Sequence, residues 1–146
     1  METKAACDAD ALYEIGRMFR EGDGVARDGV QAIIHFKRAA DLGHVGAEFS
    51  LGQMYRAGEG AAQDADAAVN HLLNAATQGH AEAQMVLGAI FDAGAGVPKN
   101  AVIAHAFYSM AAAQGREGSA DLVKKVERGM NPYLIGQANS LRKLFS

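Results

Sequence analysis

The chain has 146 residues, 49% of them hydrophobic, with 14 basic and 17 acidic side chains and a net charge of −3. That is one domain's worth of chain with enough apolar content for a core, and its acidic balance argues against a nucleic-acid binder, which carries a basic stripe along its binding face. No apolar run approaches the roughly 18–20 residues of a membrane span, and a single cysteine, Cys7, leaves no internal disulfide and favours a reducing compartment.

Residues 1–7 hold one lysine and no hydrophobic block, so no secretory signal is visible. The expected location is cytoplasmic, with the periplasm as the alternative if a leader has been trimmed. This stretch reads as a frayed lead-in, with Asp8 capping the first helix. Beyond it the chain repeats. Leu51-Gly52-Gln53-Met54-Tyr55-Arg56-Ala57-Gly58-Glu59-Gly60 has counterparts 36 residues earlier, from Ile15 to Gly24, and 36 later, from Leu87 to Gly96. Asp28, Asp64 and Asn100 share the register, as do Ala39-Ala40, Ala75-Ala76 and Ala111-Ala112, then Gly43, Gly79 and Gly115. A fixed period of this size marks a repeat array.

Each unit holds two apolar-periodic segments separated by a Gly-x-Gly turn, and both segments read as helices. The spacing predicts helices near 9–21 and 30–42, 46–57 and 66–78, and 82–93 and 102–114. Gly58 stops a first helix, and Asp64 starts a second one by accepting first-turn N–H groups. Asp28 and Gln31 stand at capping-box spacing. A glycine inside a helix costs about 1 kcal/mol relative to alanine, so Gly16, Gly52 and Gly88 predict a neighbouring helix backbone lying against them. The thirty alanines fit the same close packing. One hairpin cannot bury its apolar face alone, and the next hairpin supplies the missing side.

After Gly118 the repeat decays. Lys124 stands where the packing glycine stood, and Glu127 where Phe19, Tyr55 and Phe91 stood, so 119–128 predicts a capping helix. Met130-Asn131-Pro132 starts a last helix, with Asn131 as cap, Pro132 at the first helical position and Met130 stapled on Ile135. Leu134, Ala138, Leu141 and Phe145 form its apolar stripe. Residues 1–118 carry nine basic and fifteen acidic side chains, a net of −6, and the tail carries five against two, a net of +3.

These residues resemble the Sel-like repeat (SLR) family, tetratricopeptide-related α/α solenoids, over roughly residues 11–118. The family pattern is met by Ala47, Leu51, Gly52, Met54, Tyr55, Gly58, Gly60, Asp64, Ala68, Ala75, Ala76, Gly79 and His80. The resemblance implies an all-α fold: one SLR solenoid domain over 1–146, with three 36-residue hairpins (approximately 11–46, 47–82 and 83–118) and C-terminal capping helices over 119–146. Two departures stand out. The paired cysteines of the family's secreted branch are absent, and His35 and His71 replace an aromatic that Phe107 keeps, which predicts a less filled groove between helices.

No catalytic motif appears. The Gly-x-Gly turns follow helices and lack the Gly-Lys-Ser/Thr of a phosphate loop, and there is no Gly-x-Ser-x-Gly, His-Glu-x-x-His or Cys-x-x-Cys. None of Ser50, Ser109 or Ser119 sits beside a base recognisable in the sequence. His44 with His80, and His35 with His71, lie one repeat apart, about 8–10 Å, too far to share a zinc ion held at about 2.0–2.1 Å. No cofactor or metal is expected.

Positions that break the repeat are free for binding. On the first helices these include Glu14, Arg17, Arg20, Gln53, Arg56 and Asp92, and resemblance to tetratricopeptide arrays places first helices on the concave face. Arg17, Arg20 and Arg56 then make a cationic patch suited to a protein or peptide with acidic groups, because the guanidinium fork matches a carboxylate. The expected function is a non-catalytic protein–protein interaction module, an adaptor or scaffold holding a partner segment in its groove. Two alternatives stand beside it. One is a small-molecule binder or hydrolase of peptidoglycan or β-lactam type, implied by resemblance to cysteine-rich relatives; the other is a piece of a longer scaffold.

Overall fold

A computed structural model of the chain describes residues 4–145, with side chains from residue 8 onward. Eight α-helices run through the described residues, and no strand is found among them: α1 (Lys4–Glu21), α2 (Gly29–Asp41), α3 (Val45–Ala57), α4 (Ala65–Thr77), α5 (Ala81–Ala93), α6 (Ala101–Ala113), α7 (Ser119–Glu127) and α8 (Pro132–Lys143). None of these helices is long and apolar enough to cross a membrane. The chain divides into two compact units, Met1–Ala75 and Ala76–Ser146.

Five of the six repeat helices begin and end within one residue of the predicted bounds; the N-terminus differs. α1 already includes Lys4, so residues 4–7 are helical and Asp8 lies inside the helix instead of capping it. Ala5, Ala6 and Ala9 are the reason: alanine loses least on entering a helix, so the segment needs no cap at Asp8. Residues 1–3 of the expected lead-in lie outside the described residues.

The hairpin turns are built identically. The backbone N–H of Asp28, Asp64 and Asn100 donates to the carbonyl of Phe19, Tyr55 and Phe91 respectively, at 2.8–3.0 Å. Their side chains then accept from the N–H of Gln31, Ala67 and Ile103 at 3.0–3.1 Å, so one residue both closes the hairpin and caps the second helix. In the first unit this cancels half of the expected capping box. Gln31 donates its backbone N–H, but the N–H of Asp28 is already spent on Phe19.

The glycines inside the first helices face side chains. A Cβ on Gly16 would stand 2.7 Å from the ring of Phe36, one on Gly52 2.6 Å from Leu72, and one on Gly88 2.5 Å from Tyr108. Positions 36, 72 and 108 share the period, so each hairpin locks a large second-helix side chain against a first-helix glycine. The expected backbone contact is thereby corrected, since side-chain atoms are the nearest neighbours at all three positions; at Gly52 the carbonyl oxygen of Ala68 follows at 3.3 Å.

In the first unit Ala32, Ile33, Phe36 and Ala39 of α2 bury against Ala47, Leu51 and Met54 of α3. The groove at His35 and His71 is filled, contrary to expectation. His35 tilts against Phe19 with ring centres 5.4 Å apart, and His71 stacks on Tyr55 at 5.6 Å. An imidazole is flat and large enough to cover an aromatic face, and a carbonyl or carboxylate satisfies its nitrogen: Gln31 O lies 2.8 Å from His35 Nδ1, and Glu48 lies 2.7 Å from His71 Nδ1.

In the second unit α6 is central, packing against α5, α7 and α8. Ala104, Tyr108 and Val126 form a core cluster joined by Leu122, Val123 and Met130. The α7 helix turns these apolar residues inward and exposes Asp121, Lys124 and Lys125, as a terminal helix should. Asn131 caps α8 through the N–H of Leu134 at 2.9 Å. Ala138 is buried, and Phe145 stacks on Phe107 at 6.0 Å.

His44 and His80 are the caps of α3 and α5. Each Nδ1 accepts from the N–H three residues on, Ala47 at 3.0 Å and Ala83 at 3.1 Å. That bond needs the Nδ1 lone pair, so the capping ring is neutral with its proton on Nε2, and His44 points Nε2 at Asp10, 3.2 Å away. Burial holds the His80 pKa below its ordinary value. In the window between the ordinary value of 6.5 and the lowered one, the unfolded chain binds the extra proton. Stability is therefore complete above that window and falls as pH drops through it. Thermal melts between pH 7 and pH 5 are expected to show a loss in the wild type that is smaller in His80→Asn, whose amide oxygen caps without titrating. Equal losses in the two proteins would count against the cap.

Candidate functional site

Of the residues singled out for binding, Glu14, Arg17 and Arg20 lie on α1 and Gln53 and Arg56 on α3, all in the first unit. Asp92 lies on α5 in the second. Arg17 is enclosed by carboxylates. Its Nε lies 3.0 Å from Glu14, its Nη2 lies 3.0 Å from Asp23, and Nη1 bonds Glu21. These bonds raise the Arg17 pKa, Glu14 contributing most, and the Arg17 bond lowers that of Glu14. One guanidinium among three carboxylates leaves this cluster net negative.

Arg20 is paired as well. Its Nε lies 2.7 Å from Glu59, with both side chains half-buried, which ties α1 to the turn after α3. Asp23 and Glu59 occupy the same register, between the two glycines of the Gly-x-Gly turns. That was a legible signal, because an acid between the glycines sits one turn beyond the unrepeated arginines. Glu48, on α3, bonds His71 and Asn74, at 2.7 and 3.5 Å.

Arg56 differs from both. It is exposed, and its guanidinium forms no ion pair among the described residues. The repeat supplies a reason: the residue 39 positions beyond Arg20 is Glu59, whereas the residue 39 beyond Arg56 is Ala95, which has no charge. Gln53 stands half-buried one turn before it. The α1–α3 face thus carries an acidic cluster at Arg17, a closed pair at Arg20 and an open cation at Arg56.

A second constellation, in the second unit, was missed. His105 is 2% exposed; its Nε2 lies 2.8 Å from Glu127, and its Nδ1 lies 3.3 Å from the Ser109 hydroxyl. Ser109 therefore does sit beside a base, contrary to the sequence reading. The i, i+4 spacing of His105 and Ser109 on α6 was visible, but Glu127, 22 residues on, identifies the pair only in the folded chain. With Nε2–H donating to Glu127, Nδ1 is free to accept from the Ser109 hydroxyl. A nucleophile would also need donors for an oxyanion, and Ser109 lies mid-helix, where backbone N–H groups are used within α6. Among the described residues no three of His, Cys, Asp and Glu come together to hold a metal ion.

The family model described as Sel1 repeat matches residues 9–44, 45–80 and 81–115. Among solved structures, a Sel1 repeat protein from Oxalobacter formigenes is similar with 35% identity and a TM-score of 0.72, over 81% of this chain and 89% of that one. A protective antigen present in uropathogenic Escherichia coli strains, displaying an SLR fold, is similar in fold, with 22% identity and a TM-score of 0.64 over 94% of this chain and 37% of that one. No protein with a curated description matches the chain.

Proposed function

This chain belongs to the Sel1 repeat family, and we propose that it is a non-catalytic adaptor or scaffold that holds a segment of a partner protein against the first-helix face of α1 and α3. Sel1 repeats are a helical fold usually used for protein–protein interaction, and these proteins are typically scaffold modules without catalysis. The observation that carries the reading is Arg56, a guanidinium left open on a face whose other arginines are neutralised internally. A partner segment that complements this face brings a carboxylate to Arg56 and places a basic or neutral residue by the Glu14–Glu21–Asp23 cluster.

The test is capture from source lysate with wild type and Arg56→Glu, analysed by mass spectrometry. Arg56 is exposed, so stability is expected to change by no more than about 0.5 kcal/mol. The expected result is a partner held by wild type and lost from the folded variant. Equal capture by both would remove this face from the reading. One observation favours a hydrolase instead, the Ser109–His105–Glu127 arrangement; turnover of a reporter ester or lactam that Ser109→Ala abolishes would establish it.

A further inference from the structure

We infer that the second unit holds a binding site for a carboxylate carried on a short apolar group, with Arg142 as its anchor. The inference does not depend on the α1–α3 face. It starts from an orphan atom: Nε of Arg142 is buried and has no hydrogen-bond partner. Arg142 forms no ion pair among the described residues. A guanidinium N–H that meets neither water nor an acceptor costs the full desolvation of a charged donor, so the part-buried Arg142 side chain gains by turning this N–H toward an arriving acceptor.

The cavity beside it has the matching shape and sign. Gly79, Gln84, Met110, Ala113, Gln114, Arg142, Lys143 and Phe145 line about 370 Å³, room for one side chain and its carboxylate. Met110, Ala113 and Phe145 give an apolar wall. The two charged lining residues are both cations, and no acid is among them. The amides are partly committed, since Gln84 donates to the Ala76 carbonyl at 3.0 Å and Gln114 donates to Gln84 at 2.9 Å. That chain of bonds orients both amides and leaves Arg142 as the donor with nothing to bind.

The adjoining cavity, about 380 Å³, also reaches Arg142, but there Glu127 stands opposite the cations Lys124 and Arg142, whereas the Met110–Phe145 cavity holds cations alone. The carboxylate therefore belongs on the Met110–Phe145 side. Two sources share this chemistry, the C-terminal residue of a polypeptide and a free small organic acid.

N-acetyl-leucine, N-acetyl-leucinamide and a hexapeptide ending in leucine with a free carboxylate distinguish them, titrated into the full chain and followed by the Nε–H signal of Arg142 in NMR. The acid is expected to bind with a Kd of about 1 mM, the range for a ligand of a dozen heavy atoms. The amide is expected to bind at least about tenfold more weakly, the worth of a hydrogen bond to a charged group. Arg142→Gln should lose the same factor. Ala113→Leu, at an exposed helix end, should block binding while both cations remain. If the hexapeptide binds more tightly than the acid, the source is a polypeptide C-terminus; if the two bind alike, it is a small acid. Equal binding of acid and amide, an Arg142 signal that does not move, or unchanged affinity in Arg142→Gln would each overturn the site.

Discussion

Gly60→Ala is expected to cost about 2–4 kcal/mol, a large fraction of the stability of a domain this size. Two effects add. Gly60 has φ +76, where an L side chain strains its own backbone, and its Cβ would stand 2.5 Å from the carbonyl carbon of Gly29 and 2.9 Å from its Cα. Both atoms are backbone at the start of α2, so no rotamer change relieves the collision; the turn after α3 must move away from α2. Gly79 separates the two effects, because it has φ +91 but nothing within 4 Å of its Cβ. Gly79→Ala should cost only the conformational part, about 1–2 kcal/mol. Urea titration of the two variants checks this: the midpoint should fall much further for Gly60→Ala at an unchanged m-value. Equal midpoints would mean that the α2 start does not rest on this turn.

The second large effect lies in the glycine lock between α3 and α4. On a free helix surface Gly→Ala stabilises by about 1 kcal/mol. At Gly52 the sign should reverse to a loss of about 1–3 kcal/mol, because the added methyl meets Leu72, which is fully buried and has nowhere to go. Leu72→Ala alone should cost about 2–5 kcal/mol by leaving a cavity. The double variant should lose less than the sum by about 0.5–3 kcal/mol, since the methyl on residue 52 enters the space that Leu72 vacates. Denaturation of all four proteins measures the coupling. Simple additivity would show that residues 52 and 72 do not touch.

Most of the helical framework was legible in the residues. The 36-residue period, the caps at Asp28, Asp64 and Asn100, the Asn131-Pro132 start and the apolar stripe of α8 are local signals. Each is set by bonds that span three or four residues, or by a periodicity that places side chains on one face. Repetition strengthened them, because the same residue answers the same backbone need three times. The N-terminus was misread for the same reason in reverse: Asp8 looks like a cap, but alanine propensity around it carries the helix back to Lys4.

The candidate sites were less legible, and the arginines show why. Arg17, Arg20 and Arg56 look alike in sequence, as unrepeated cations on first helices. Their states diverge because a guanidinium on a long side chain is neutralised by whichever carboxylate lies within about 4 Å, and Glu59 reaches Arg20 across 39 residues. The lock partners of the glycines, the His71–Glu48 and His105–Glu127 bonds, and the orphan Nε of Arg142 are of the same kind. By itself the sequence determined the repeat family, the helices and, the start of α1 apart, their ends, since these follow from backbone hydrogen bonding and local propensity. Only the tertiary structure decided which charges are spent and which stay open, because that depends on distances of a few ångströms between residues far apart in the chain.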